Sequence, residues 1–295
     1  MVIAVSLLLL GMRSTPATRT TFVELDAVVL DKSDRTVSGL QQADFTVRED
    51  GHRVDITNFK AVDAAGIVDA DDRRVVSLLL DDNSVSLGAT TIMRSVAQLY
   101  LSLSRPMDAV SVVRLTHRED EASGSLPDAL DRVDAYRTGS LSFFGRAMFE
   151  DTLITVARVA RQLETIEHRR KVLVCVGTRY ACDPFFEAPK TTLYWESWRD
   201  AIGAAARANA SVYNISPSGI YGRFDLGDGL VDTTGGASFL RSNDFARAAR
   251  MIWNEASHYY LLGYIPTAPS RSLHDIKVSV HGAGLHVRAR QQRGD

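Results

Sequence analysis

The chain has 295 residues, of which 45% are hydrophobic and 24% are charged, and its formal net charge is -2 at pH 7. This length suits one large domain or two ordinary ones, and the composition is that of a folded protein rather than a disordered one. The balanced charge excludes a whole-protein basic field that would attract nucleic acid or acidic membranes. The basic run from Arg288 to Arg293 is a local exception, which we interpret as a solvated strand face and tail.

Residues 1–19 resemble a secretory signal peptide. Their apolar core, Val2 to Gly11, is too short to cross a bilayer as a helix, and small and polar residues follow it up to Ala17. We therefore expect export to the periplasm, the cell surface or the medium, with no integral membrane span in the mature chain. The alternative is a buried segment of a cytoplasmic protein.

Residues 20–65 have the pattern of β-strands. Val23, Leu25, Ala27 and Val29 alternate with other residues, which places their side chains on one face of a strand. Further along, Asp50-Gly51 is a pair that tight hairpin turns favour. This region predicts one half of a small β-sandwich.

Residues 72–256 alternate apolar strands with long amphipathic helices. Near-continuous apolar runs predict buried strands over 74–81, 108–116, 170–177 and 211–216, with a short one in 235–240. Periodic apolar stripes predict helices over 89–104, 144–166, 194–210 and 243–257. Such alternation predicts an α/β domain with a mostly parallel, Rossmann-like sheet and helices on both faces.

Residues 258–292 return to the β pattern. Leu285, Val287 and Ala289 point to one side of the last strand, opposite Arg288 and Arg290. Neither β region is large enough to cover its own hydrophobic face. We therefore expect the two to pair into one β-sandwich, with the α/β domain inserted between them.

The first buried strand of the α/β domain ends in two acids, Asp81 and Asp82. From Asp82 the spacing is D-x-S-x-S, which adds the hydroxyls of Ser84 and Ser86. Ligands of open parallel sheets bind at the carboxyl ends of the strands, and oxygen donors suit a hard cation such as Mg²⁺ or Mn²⁺. Asp82, Ser84 and Ser86 are therefore candidate metal ligands, and Asp81 is a neighbour that modifies the site.

This loop resembles the metal-ion-dependent adhesion site of von Willebrand factor type A (VWFA) domains. The segments "TTGGASF" and "ASHYYLLGYIPTAPSRSLHDIKVSV" resemble the bacterial, acidobacterial-type VWFA-related proteins, and the likeness runs from about residue 20 to the end. The resemblance implies a Rossmann-like VWFA domain, export, and binding or adhesion to a protein partner rather than catalysis. From the balanced charge we also expect no nucleic-acid partner.

Two of the three loops depart from the family's metal site. Arg146 stands where the family has a threonine, and Gly177-Thr178-Arg179 follows the third strand without the expected acid. Thr178 retains a hydroxyl as a weak candidate ligand. One hypothesis is therefore an adhesion module with a degenerate metal site. The other is a metal-free interaction or envelope scaffold in which an Asp–Arg pair neutralises Asp82.

An aromatic loop supplies another candidate surface. It spans residues 180–195 and contains Phe185, Phe186, Tyr194 and Trp195, whose side chains are costly to expose. They either pack on the domain or form a partner surface beside the strand ends.

Other classes of protein lack positive signs in the sequence. There is no G-x-S-x-G elbow and no H-E-x-x-H pair, which argues against a hydrolase. A phosphoryl-accepting receiver domain would need a further Asp at the end of "VLVCVG". His117 follows the second strand of the α/β domain, and we interpret it as a polar loop residue. Cys175 is predicted to be a buried thiol, with pairing to Cys182 left open.

Overall fold

The structure, a computed structural model, describes residues 22–63, 74–83, 85, 87–117, 119–120, 124–138, 145–166, 169–177, 192–221, 229–266 and 273–293. For residues 87, 145–151, 192–194 and 221 it describes the backbone alone. The predicted signal peptide lies outside the described residues.

The described strands fall into three groups along the chain. The first group is β1 (Val23–Leu30), β2 (Phe45–Glu49), β3 (His52–Val54) and β4 (Ile56–Asp63). The second is β5 (Val75–Leu80), β6 (Ala109–Arg114), β7 (Lys171–Val176), β8 (Ala210–Ile215) and β9 (Ser238–Phe239). The third is β10 (His258–Tyr264), β11 (His274–Val280), β12 (His286–Ala289) and β13 (Gln292–Arg293).

The helices lie within the second group of strands. They are α1 (Thr90–Leu101), α2 (Leu126–Ala135), α3 (Gly145–Leu163), α4 (Thr192–Ala208), α5 (Gly229–Thr234) and α6 (Phe245–Ser257). Two of them, α2 and α5, were not predicted. The capping box of α2, in which Ser125 and Asp128 exchange hydrogen bonds, is a local signal for its start that the apolar periodicity did not reveal.

The first and third groups of strands form two antiparallel sheets, with orders β12-β1-β10-β4 and β13-β11-β2-β3. Val23, Leu25, Ala27 and Val29 face inward from one sheet and share a hydrophobic core with Phe45 of the other. The two ends of the chain therefore pair with each other, because β1 lies between β10 and β12, and β2 pairs with β11.

The second group forms a parallel sheet of order β6-β5-β7-β8-β9. Every residue of β5, β7 and β8 is buried, as expected of strands covered on both faces. One face packs on α3, α4 and α5 and the other on α1, α2 and α6. The α/β class with a parallel sheet flanked by helices, accompanied by antiparallel sheets, is thus confirmed.

The interpretation of the basic C-terminal strand as solvated was wrong. Arg288 forms an ion pair with the buried Glu255 of α6, and the side chain of Arg290 donates to the carbonyl oxygens of Ala206 and Glu24. Arg293, which is itself buried, pairs with Glu49. These guanidinium groups bind partners on other elements because β12 and β13 lie where the antiparallel sheets meet the α/β layer.

That junction lies at the amino end of the parallel sheet. Arg170, one residue before β7, is buried and donates from Nη2 to Tyr213 Oη at 2.7 Å. The hydroxyl of Tyr213 in turn donates to Glu255 at 2.8 Å. On β1, Asp26 accepts a hydrogen bond from Asn209 at 2.7 Å. A polar network thus fills the space between the sheets.

Candidate functional site

The candidate site lies at the carboxyl end of β5, where the chain leaves the parallel sheet at Asp81 and Asp82. Both carboxylates are buried. Asp82 is held by the end of the neighbouring strand β6: its Oδ1 accepts from the backbone N–H of Thr116 at 3.0 Å, and its Oδ2 accepts from Thr116 Oγ1 at 2.5 Å. The Nδ1 of His117 lies 3.0 Å from the same Oδ2.

These contacts leave Asp82 little free acceptor capacity. A carboxylate has about four lone-pair positions, two on each oxygen. When His117 carries its proton on Nδ1, Oδ2 is fully occupied and one position remains on Oδ1. Short hydrogen bonds to an ionised oxygen are the strong ones, so Thr116 and His117 stabilise the charge of Asp82 from within the protein.

Asp81 has a different role because its backbone and side chain hold the turn together. Its N–H donates to Val176 O at 3.0 Å, its carbonyl accepts from Tyr136 Oη at 2.5 Å, and its Oδ1 accepts from Asn83 N at 3.1 Å. Burial raises the pKa of Tyr136, and the nearby charges of Asp81 and Asp82 raise it further. The phenol therefore stays protonated and donates.

A glycine gives the Asp81 side chain its space. At Gly177, which follows β7, an added Cβ would lie 2.6 Å from Asp81 Cβ and 2.9 Å from Asp81 Oδ2. Real Cβ atoms essentially never come that close, so any side chain here would displace Asp81. Gly177 thus shapes the end of β5 from the neighbouring strand.

An ion-pair group borders the site beyond β6. Arg114 donates to Asp120 through Nε at 2.8 Å and Nη2 at 2.9 Å, and Arg158 of α3 donates to the carbonyl of Asp120. Burial alone would raise the pKa of Asp120, but the hydrogen bonds from Arg114 outweigh it and hold that pKa below its ordinary value. Arg114, two residues before Thr116, is therefore paired with Asp120.

Few of the other predicted site residues can be placed. Ser84, Ser86, Thr178, Phe185 and Phe186 lie outside the described residues. Arg146 and Tyr194 belong to α3 and α4, whose backbone is described there without those side chains. Trp195 is 37% exposed on α4. Cys175 is buried, as predicted, and its thiol is free.

The residues that bind Asp82 were not among the predicted site residues. His117 was interpreted as a polar loop residue, and Thr116 was not singled out. The signal that identifies Thr116 is its position two residues beyond β6, because β5 and β6 are adjacent and in register from Val75↔Ala109 to Leu80↔Arg114. β5 lies between β6 and β7, and its pairing with β6 places Thr116 beside Asp82.

The described residues contain no group of three or more His, Cys, Asp or Glu side chains placed to hold a metal ion. They also contain no helix that combines the length and the apolar character needed to cross a bilayer.

The molecule is an α/β protein. Its parallel sheet has buried acids at the carboxyl end, and the antiparallel sheets lie at the amino end. Neither the models of known protein families nor the curated proteins give a match to the chain. Its likeness to VWFA-related proteins therefore stays a prediction from the motifs.

Proposed function

We propose that the protein is a non-catalytic binding module of the VWFA type, exported from the cell, which holds a protein partner at the carboxyl edge of its parallel sheet. The observation that carries the proposal is the buried Asp82, which is fixed at that edge by Thr116 and His117. Because Asp82 is fixed at the end of β5, it holds the partly exposed His117 in place. The edge can therefore present a surface of fixed shape to a partner.

At this carboxyl edge, hydrogen bonds from the protein rather than a bound cation hold Asp82. A divalent ion at Asp82 would have to use the one acceptor position that Thr116 leaves on Oδ1, or displace a protein donor. Hydrogen bonds from the protein supply the compensation that a buried carboxylate needs. A partner is then bound by the shape and polarity of this edge, with Glu119, 70% exposed at its side chain, on its rim.

A second candidate function is adhesion through a bound Mg²⁺ or Mn²⁺. It rests on the D-x-S-x-S spacing from Asp82, whose first residue lies where ligands of parallel sheets bind. Asp82, Ser84 and Ser86 would hold the ion, which would attract a carboxylate of the partner. Thr116 and His117 would then compete with the ion for Asp82.

Site-directed photo-crosslinking in the source cells tests the proposal. A photoreactive amino acid at Glu119 samples the carboxyl edge, and the same probe at Arg53, exposed on β3, is the matched control at the other end of the molecule. We expect a discrete protein adduct from position 119 alone, present with and without a chelator. Equal adducts from both positions, or none from position 119, would refute a partner at this edge. An adduct that needs Mg²⁺ would favour the second candidate.

A further inference from the structure

Asn214 is a second polar feature of the carboxyl edge, separate from Asp82. It is the penultimate residue of β8 and is fully buried. Its backbone N–H donates to Ala237 O at 3.0 Å, so the main chain at this position is satisfied. Within the described part of the chain, neither Nδ2 nor Oδ1 of its side chain has a hydrogen-bond partner.

The side chain belongs to the face of the sheet that α3, α4 and α5 cover. Val212, two residues earlier on β8, lies in the hydrophobic core on that face, and residues two apart on a strand point the same way. Cys175 on β7 and Ser238 on β9 are its register partners on either side. Ser238 also has a buried hydroxyl oxygen without a partner among the described residues.

An amide left in this state costs free energy, since both of its polar atoms have lost water and gained nothing. A leucine, which has the same branching and the same number of side-chain heavy atoms, would not pay that cost. Asn214 therefore needs a partner that the described residues do not supply. It lies one residue from the carboxyl end of β8, and open parallel sheets bind ligands outside the carboxyl ends of their strands.

We propose that Asn214 binds a small, planar, uncharged molecule that carries a hydrogen-bond donor next to an acceptor. Nδ2 donates and Oδ1 accepts, so the complementary ligand has one acceptor and one donor on adjacent positions. A carboxamide and the N6/N7 edge of adenine both have this pattern, and asparagine pairs with adenine in this bidentate way. The flanking side chains, Cys175 and Ser238, are uncharged, which favours an uncharged ligand.

Side-chain amide NMR of the full chain, with acetamide and adenine as the two probes, tests this inference. We expect the Asn214 NH₂ signals to shift in a saturable way with at least one probe. Asn209 is the internal control, because its Nδ2 already donates to Asp26 at 2.7 Å and its signals should not move. A response to acetamide alone identifies a carboxamide ligand, and a stronger response to adenine identifies a base.

Asn214→Leu supplies the second arm. The variant should lose the response to the probes and, without a probe, should melt at a higher temperature than the wild type. Thr152→Val is the matched control, because Thr152 is also fully buried with a partnerless hydroxyl among the described residues, yet lies on α3 outside the sheet. It should keep the probe response. Unmoved Asn214 signals with both probes, or a response that survives Asn214→Leu, would overturn the inference; the wild-type spectrum decides this even if the variant fails to fold.

Discussion

The two ends of the parallel sheet are both rich in charged residues, but they use them differently. At the amino end, ion pairs such as Arg74–Asp108 are buried, and the antiparallel sheets cover part of this end. At the carboxyl end, the buried Asp82 is held by Thr116 and by His117, whose side chain is 38% exposed. Charge at the first end joins parts of the molecule, whereas charge at the second end borders solvent. Similar residue types thus serve structure at one end and, in our proposal, binding at the other.

The largest effect should come from breaking the amino-end pair. Asp108 accepts from Arg74 Nε at 3.0 Å and from Arg105 N at 2.7 Å, and Arg74 stacks on Trp253 with 4.1 Å between its Cζ and the ring centroid. Asp108→Ala leaves the Arg74 guanidinium buried without its carboxylate. We expect a loss of about 3–5 kcal/mol in the free energy of unfolding, measured by urea denaturation. A loss below about 1 kcal/mol would mean that this end is not held by its charges.

Each end of the sheet has a glycine with no room for a side chain, Gly235 at the amino end and Gly177 at the carboxyl end. Gly235 has φ +78°, and an added Cβ would lie 2.5 Å from the backbone carbon of Ala289, so Gly235→Ala combines strain with a clash against main chain. Gly177→Ala meets the side chain of Asp81 instead. We expect both to destabilise, Gly177→Ala by about 1–3 kcal/mol and Gly235→Ala by more. Thermal unfolding of the two variants would contradict this order if Gly177→Ala melted first.

At the carboxyl end, Thr116→Val removes one hydroxyl and leaves the side-chain volume nearly unchanged. Asp82 loses the 2.5 Å hydrogen bond from Thr116 Oγ1 and keeps the bond from the backbone N–H. We expect a loss of about 1–3 kcal/mol in unfolding free energy, as for a hydrogen bond to a charged group. Thr57→Val, on an exposed edge of β4, is the control and should cost less. Equal losses would remove the argument that Thr116 stabilises Asp82.

The smallest effect is a difference in pH dependence at the junction. Burial raises the pKa of Asp26, and the attraction of Arg170 only partly opposes it. A carboxyl with a raised folded-state pKa keeps its proton longer in the folded state, so stability falls as pH rises from 3.8 through the folded pKa. Asp26→Asn should therefore gain stability relative to the wild type over that rise, in urea titrations at successive pH values. If Asp26→Asn instead gained stability relative to the wild type as the pH was lowered, the charge of Asp26 would be favourable in the folded state.

The sequence predicted the fold better than the contacts that distinguish the two ends. Apolar runs identified β5, β7 and β8 because every residue in them is buried, and the alternation in β1 identified its inner face. The pairing of Asp82 with Thr116 depends on which strand neighbours β5, and periodicity carries no such information. The ion pair of Arg293 with Glu49 joins residues 244 positions apart, so a basic strand appeared solvated when read alone.

In our proposal, hydrogen bonds rather than a cation hold the carboxyl end of the sheet. Calorimetric titration of Mg²⁺ and of Mn²⁺ into the purified protein and into Asp82→Ala tests it most directly. We predict no saturable heat of binding in either protein at ion concentrations up to the millimolar range, because Thr116 and His117 already occupy Asp82. Stoichiometric binding by the wild type that Asp82→Ala abolishes would contradict the account and establish a cation-dependent adhesion site.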